Sequence, residues 1–373
     1  MPNAREGGLR RGVGDFGDGG VRTAVVGCGY WGSKHVRALQ SLDGVASVVA
    51  VDRDEARLAG LRGRLTGESH FSSVEEALPH VDAVIVATPP GSHVDIALKA
   101  LRADKHVLVE KPLATTAEGA ARLIRAAEAA GTVLMVGHTF EYNSAVWKMR
   151  DLVSSGSLGR LYYVDSARLN LGLYQGDVNV IFDLAPHDIS IINYLLGQHP
   201  STVEAWASRY AHTRLEDVAY LRLHYAELGV EANIHVSWLD PHKVRRLTAV
   251  GSEKMAVYND MAAEERIRVH DKGVVFSAAD ELSQPPMTYR YGDITSPYLD
   301  FPEPLSVQDS HFITCIRTGA VPHTDGRNGL AVVRVLEAAQ ASLRERREIA
   351  LHEIAGADLG AIELSLVSQG GAS

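Results

Sequence analysis

The sequence predicts an α/β protein in which an N-terminal Rossmann dinucleotide-binding domain precedes an α+β domain with a large, mostly antiparallel, open-faced sheet. Three observations carry that expectation. From Val21 to Asp52, a β-branched run meets Gly27-Cys28-Gly29-Tyr30-Trp31-Gly32, then a helical stretch, then a second apolar run ending in an acid. Strand and helix then alternate as far as about Tyr142, the pattern of a parallel sheet. Beyond that point strands follow one another without helices between them, which implies antiparallel pairing with helices to one side.

In chain order, residues 1–20 are rich in Gly and Arg and predict a disordered extension. Val21 to Val26 is the first strand. Gly27 makes the tight turn, Gly29 lets the backbone approach a pyrophosphate, and Gly32 allows the helix through Leu39 to pack on the strand. The start of that helix, with Tyr30 and Trp31, offers unpaired N–H groups to the phosphates. Asp52 falls twenty residues past the last glycine, where a carboxylate binds both ribose hydroxyls and repels a 2′-phosphate. The predicted cofactor is therefore NAD, with NADP kept as the alternative because Arg53 can receive a 2′-phosphate.

Val81 to Ala87 reads as a buried strand ending in Thr88-Pro89-Pro90-Gly91, with Ser92 capping a helix to about Leu101. His106 to Val109 is the next strand and ends in Glu110-Lys111-Pro112. Thr115 and Glu118 form a capping box before an alanine-rich helix that stops at Gly131. Thr132 to Val136 then leads to Gly137-His138. Ligands of such sheets bind beyond the carboxyl ends of the strands, so Thr88, Pro89, Glu110, Lys111, Gly137 and His138 are expected to border one cleft.

The first domain is placed at 21–142 and the second, for substrate binding and oligomerisation, at 143–352. Asn143 to Val153 reads as a connecting helix and Gly159 to Leu169 as a strand. Pro186 is tolerated in a helix's first turn, which sets the start of the next helix near Asp183 and its end at Leu196. Strands follow at about Thr202 to Arg209, Asp217 to Tyr225, Val230 to Trp238, Val244 to Val250, Lys254 to Tyr258 and Arg266 to Val275. Tyr289 to Pro304, with its prolines, is expected to be a loop. Helices near 306–317 and 328–343 are expected to return to the Rossmann domain, and 353–373 is a tail without an assigned role.

Composition narrows the class. A chain of 373 residues with 46% hydrophobic and 22% charged residues suits two globular domains. A formal net charge of −9 offers no basic stripe, so neither nucleic acid nor an anionic membrane is an expected partner. Cys28 and Cys315 are too far apart in sequence for a CxxC pair or a disulfide framework, which fits a reducing, cytoplasmic setting. No apolar run reaches the length of a membrane span, and the first residues lack a signal-peptide core. No HExxH motif and no Cys/His cluster suggests a metal. An open sheet face invites burial against a copy, so a homodimer or homotetramer is expected.

Three polar features carry chemistry. Glu110-Lys111-Pro112 puts an ammonium where a nicotinamide would lie, although a surface lysine at a strand end explains the tripeptide equally well. Asp183 and His187 share one helix face, a pair that an N-cap aspartate and an exposed histidine would also produce. Arg168, Asn170 and Tyr174 run from a strand into a Gly-containing loop and are candidates for substrate contacts, against ordinary strand-end polarity.

Together these residues resemble the Gfo/Idh/MocA family, which includes glucose-fructose oxidoreductase and inositol dehydrogenase. The resemblance runs from Val21 to about Arg347. It rests on Gly27 to Gly32, Ala87-Thr88-Pro89-Pro90 with His93, Glu110-Lys111-Pro112, Asp183 to His187 with Asp188, and Gly326-Arg-Asn-Gly-Leu330 before a helix. It implies an NAD(P)-dependent oxidoreductase acting on CH–OH groups, with His93 counted among the cofactor residues. Leu169 to His187 also resembles sugar and nucleotide-sugar dehydrogenases that oxidise a ring hydroxyl, C3 among the candidate carbons, often in amino-sugar or aminoglycoside pathways.

The implied catalytic residues are Lys111, His187 and Asp183. His187 accepts the hydroxyl proton, since an imidazole titrates near pH 6.5. Asp183 fixes its tautomer, and Lys111 steadies developing alkoxide charge. A keto-sugar reductase using NADP, a non-catalytic dinucleotide sensor, and redox-neutral glycoside chemistry with tightly held NAD are the alternatives.

Overall fold

A computed structural model describes residues 19–354 apart from 62–64, 66–69, 173, 175, 212–213 and 277–286. The expected extension, except Gly19 and Gly20, and the tail beyond Ile354 lie outside the described residues. The chain divides into two compact units, one made of residues up to Gly137 with Leu305–Leu330, the other of His138–Pro304 with the residues from Ala331 on.

The first unit begins β1 (Val21–Val26), α1 (Tyr30–Leu39), β2 (Val45–Val51), α2 (Glu55–Ala59), β3 (His70–Phe71) and α3 (Val74–Ala77). It continues with β4 (Ala83–Val86), α4 (His93–Arg102), β5 (His106–Glu110), α5 (Ala117–Ala130) and β6 (Leu134–Gly137). Six parallel strands lie in the order β3-β2-β1-β4-β5-β6, the doubly wound topology. Every residue of β4 and β5 is buried, as expected of central parallel strands covered on both faces.

Two helix starts differ from the sequence reading. Thr116, not Thr115, has the extended backbone at the entrance to α5; its hydroxyl accepts from Gly119 N, while Glu118 pairs with Arg125 at 2.7 Å. Ser92 makes no cap bond, because the turn Pro90–Ser92 precedes α4 and its hydroxyl points back to Thr88 and the Pro89 carbonyl. The short α2, β3 and α3 were not anticipated.

The second unit opens with α6 (Ser144–Ser154), β7 (Leu161–Leu171) and α7 (Val180–Leu196). Then come β8 (Thr202–Ser208), β9 (Val218–Tyr225), β10 (Val230–Ser237), β11 (Leu239–Gly251), β12 (Met255–Asn259), β13 (Ile267–Phe276) and β14 (Met287–Thr295). Next come α8 (Pro304–Thr318), α9 (Gly326–Glu345) and β15 (Ile349–Ala350), with α8 and the start of α9 belonging to the first unit. The nine-stranded sheet has the order β14-β13-β12-β11-β7-β10-β9-β8-β15 and is antiparallel except where β10 meets β7. Ala219, Leu221, Leu223 and Tyr225 of β9 and Val230, Ala232, Ile234 and Val236 of β10 alternate onto one face. There they join a core with Ile189, Ile192 and Leu195 of α7. The opposite face presents Trp206 and Tyr220, with the His235 ring stacked on Tyr220 at 4.0 Å.

Helix α7 starts three residues before Asp183, contrary to the expectation built on Pro186. Asn179 caps it by accepting from Phe182 N, and Val180 N is bonded to the Glu216 carbonyl. Pro186 therefore lies inside the helix, where it deletes the amide that would bond the Phe182 carbonyl. The segment from Tyr289 was expected to be a loop, but β14 pairs antiparallel with β13 as far as Thr295. Pro297, Pro302 and Pro304 all follow the strand, and an edge strand paired on one side leaves its tyrosines exposed. Among the described residues no helix is long and apolar enough to cross a membrane.

Candidate active site

In the first unit, the carboxyl ends of β1 and β4 mark the topological switch point. Gly27 takes φ +92°, and a Cβ there would lie 2.8 Å from the Ala87 backbone; on Gly32 it would lie 1.8 Å from the Gly27 carbonyl. Around Gly29 the nearest atom to such a Cβ is Arg57 Nη1 at 3.8 Å, so the backbone is open to a ligand. No side chain caps α1, which leaves its first amides for an anion. Tyr30 and Trp31 are exposed at this helix start with edge-to-face rings 5.3 Å apart, and the Lys34 ammonium sits 4.7 Å from the Tyr30 ring centre. This cradle fits a dinucleotide pyrophosphate.

The Asp52 carboxylate is fixed by two amides, Cys28 N at 2.7 Å and Asp54 N at 2.9 Å. Each oxygen keeps lone-pair capacity for a ribose hydroxyl. Arg57 lies 3.6 Å from Asp52 and 3.5 Å from Asp54, so the guanidinium beside the acid belongs to Arg57. Arg53, the residue chosen from sequence, is exposed beside it. The overlooked signal was Asp54 itself, which caps α2 by accepting from Ala56 N and sets Arg57 within a turn of Asp52.

Thr88, next to Pro89, comes close to Gly27, and its hydroxyl accepts from Ser92. Lys111 follows the end of β5, and its N–H donates to Glu110 Oε2 at 3.2 Å. Three expected cofactor residues take other roles here. His93 is fully buried with Nδ1 2.9 Å from the Pro112 carbonyl and Nε2 2.7 Å from the Thr88 carbonyl, so the ring lies between two backbone acceptors and donates to one of them. Burial, outweighing those carbonyls, lowers its pKa. Glu110 points inward to His35 Nε2 at 3.0 Å. Gly137 is buried beside Glu110 in the β5–β6 ladder, and a Cβ there would meet Glu110 Oε1 at 2.9 Å.

In the second unit, Asp183 and His187 lie one turn apart on α7, both half-buried. Trp238, 1% exposed, donates its indole N–H to Asp183 Oδ2 at 2.9 Å. Tyr174 packs on Trp238 with ring centres 5.2 Å apart, so loop, strand end and helix converge on this indole. The His187 ring meets Phe140 edge-on at 5.1 Å, and the Arg168 guanidinium lies 4.7 Å from the same phenyl ring. Sequence reasoning missed Trp238 and Phe140, which are remote in sequence from what they touch and lie in no motif. Asn170, half-buried, follows Arg168 on the same face of β7.

Arg168 is not disposed as a substrate ligand. It is 5% exposed and bonded to Asp188 through Nε at 2.7 Å and Nη2 at 3.2 Å, with the Ser166 hydroxyl donating to the same carboxylate at 2.7 Å. Burial opposes the guanidinium charge, but Asp188 outweighs it and raises the Arg168 pKa.

A phosphate cradle at the switch point of a doubly wound sheet, with an anchored ribose acid, defines an NAD-binding Rossmann domain. Residues 21–138 match the oxidoreductase family with an NAD-binding Rossmann fold, and 146–257 match the Gfo/Idh/MocA C-terminal domain. The chain belongs to the Gfo/Idh/MocA oxidoreductase family. It is 34% identical to inositol 2-dehydrogenase 2 of Saccharopolyspora erythraea over 58% of this chain and 66% of that protein. It is 32% identical to UDP-N-acetylglucosamine 3-dehydrogenase of Acidithiobacillus ferrooxidans over 50% of this chain and 57% of that protein. A solved structure of a UDP-N-acetylglucosamine 3-dehydrogenase from Acidithiobacillus ferrooxidans has the same fold, with TM-score 0.72 and 23% identity over 87% of this chain and 98% of that one.

Proposed function

We propose that this protein is an NAD-dependent dehydrogenase that oxidises a secondary ring hydroxyl, C3 among the candidate carbons, of a sugar, nucleotide sugar or aminoglycoside-type pseudosaccharide to a ketone. The observation that carries this reading is the Asp183/His187 pair on α7, with Asp183 held by Trp238 and the His187 ring set against Phe140. The names of the relatives, for ring positions of a cyclitol and a nucleotide sugar, support the substrate class.

His187 accepts the hydroxyl proton, and in reverse returns it. Asp183 holds the imidazole tautomer and steadies the imidazolium. Lys111 donates to the same oxygen as its charge develops. Bound NAD supplies the hydride acceptor; Gly27, Gly29, Gly32, Tyr30, Trp31 and the amides of α1 hold its pyrophosphate, and Asp52 its ribose. Asn170 and Tyr174 contact substrate. The segment 21–142, joined by α8 and the start of α9, acts as the dinucleotide domain, and the rest of 143–352 as the substrate and assembly domain. The enzyme works in a reducing cytoplasm, as a homodimer or homotetramer joined through the sheet face bearing Trp206 and Tyr220; light scattering that finds a monomer at micromolar concentration would count against this assembly.

The test is NADH absorbance with free sugars, nucleotide sugars and aminoglycoside-type pseudosaccharides. Lys111→Ala and His187→Asn should lower turnover by about 10² to 10⁴ while NAD binding stays nearly intact. If His187→Asn keeps near-normal turnover and the same acid limb, His187 is not the base. NAD binding without turnover on any substrate class would support the sensor instead.

A further inference from the structure

Glu110 precedes Lys111 in the chain, yet its carboxylate turns into the interior, toward a group of charges that the chemistry above does not use. His35, on α1, is completely buried. Its Nε2 lies 3.0 Å from Glu110 Oε1, and its Nδ1 lies 2.9 and 3.1 Å from the two carboxylate oxygens of Asp309 on α8. Gln308 Nε2 also reaches Asp309, at 3.4 Å. A neutral imidazole donates from one nitrogen only, while ionised carboxylates only accept, so between two ionised carboxylates the imidazolium satisfies both contacts. Burial works against that cation, but Asp309 and Glu110 outweigh it and push the His35 pKa up to about 10. Glu110 is held below the usual carboxylate range as its bond to His35 overcomes burial, whereas burial wins at Asp309 and raises it.

The arrangement joins parts far apart in sequence. Helix α1 forms the dinucleotide cradle at its N-terminus and carries His35 just beyond Gly32. Glu110 binds His35 with one oxygen and the Lys111 backbone N–H with the other. We propose that His35 is a positioning residue for Lys111: as an imidazolium it anchors Glu110, and Glu110 fixes the backbone that carries the Lys111 ammonium to the helix that holds the cofactor. Removing the cation leaves two carboxylates facing a buried hole, so Glu110 must take a proton or turn outward. Either change loosens its hold on Lys111. The proposal rests on the role given above to Lys111.

The experiment uses the full-length protein and a cycle of His35→Gln and Lys111→Ala. Glutamine keeps a donor but carries no charge. His35→Gln should lower kcat by about 10- to 100-fold, the effect of misplacing a catalytic group by about an ångström, with a much smaller change in KM. In the Lys111→Ala background the same substitution should cost less than about twofold, because the group it positions is gone. Comparable losses in both backgrounds, or unchanged turnover of His35→Gln, would overturn the proposal. If His35→Gln does not fold, Asp309→Asn, which keeps the His35–Glu110 contact, enters the same cycle with an expected loss of about 3- to 10-fold and the same overturning outcomes. Imidazole NMR separates this proposal from the one it rests on. The His35 ring, which faces the carboxyl groups of Glu110 and Asp309, should remain protonated from about pH 6 to 9. A ring that titrates near the ordinary value refutes the brace whatever Lys111 does. A ring that stays protonated while Lys111→Ala turns over normally refutes the catalytic role of Lys111, and the positioning role with it.

Discussion

Replacing Arg168 with methionine keeps most of the unbranched stem and deletes the guanidinium, leaving Asp188 buried with the Ser166 hydroxyl still bonded to it. Asp188 is 2% exposed, and both guanidinium bonds to it are lost. Removing one partner of a buried pair costs about 3–5 kcal/mol, mostly from the uncompensated charge left behind. For a folding unit of this size each kcal/mol lowers the melting midpoint by about 2–4 °C, so a drop of roughly 10 °C is expected. Arg168→Met/Asp188→Leu should recover most of it, since a well-packed apolar pair matches a buried ion pair or exceeds it. Thermal unfolding by circular dichroism reads the midpoint, and steady-state kinetics read KM. The single variant should lose stability, with kcat falling modestly as Phe140 loses the cation 4.7 Å away, and KM should change little. A midpoint within about 2 °C of the unmodified protein, together with a rise in KM of about tenfold or more, would show that Arg168 serves the substrate after all.

The Asp52 clamp makes NAD the tighter dinucleotide in calorimetric titration, and Asp52→Ala should narrow or reverse the preference by leaving Arg57 without its acid; tighter NADP binding by the unmodified protein would sink this assignment. The third prediction concerns pH. His35 has a folded pKa of about 10, against an unfolded value near 6.5, so its contribution to stability is fully present below about pH 6.5 and is lost as pH rises toward 10. In that window the native state holds the extra proton, and stability should fall by at most about 1.4 kcal/mol per pH unit. Urea midpoints measured across the window should fall more steeply for the unmodified protein than for His35→Gln, and equal slopes would refute the linkage.

The dinucleotide half of the fold was legible because its signals are local: Gly27, Gly29 and Gly32 sit within six residues and Asp52 closes the same βαβ unit. The antiparallel sheet was legible from alternation, as in β9 and β10. The start of helix α7 was hidden because Pro186 favours a first turn, whereas Asn179 and the Glu216 carbonyl anchor the helix at Val180, six residues earlier. β14 was hidden because an exposed edge strand shows little apolar alternation and prolines follow it. The contacts that set the site were beyond reach for another reason. Trp238 lies 55 residues from Asp183, and Arg168 reads as a free cation until Asp188 is seen 20 residues on, folded back onto it. His35 looks like one more helical histidine, and nothing near it announces two carboxylates.

Asp309 comes 274 residues after His35, which bears on how the protein is made. At about 5–20 residues per second, a ribosome needs on the order of tens of seconds between them. During that interval β1 to β6 have already left the exit tunnel, while the His35 site still lacks one of its two anions. Until α8 is made, the nascent first unit can pair His35 with Glu110 alone. Dinucleotide present during synthesis would meet an incomplete fold until a late helix delivers the missing charge.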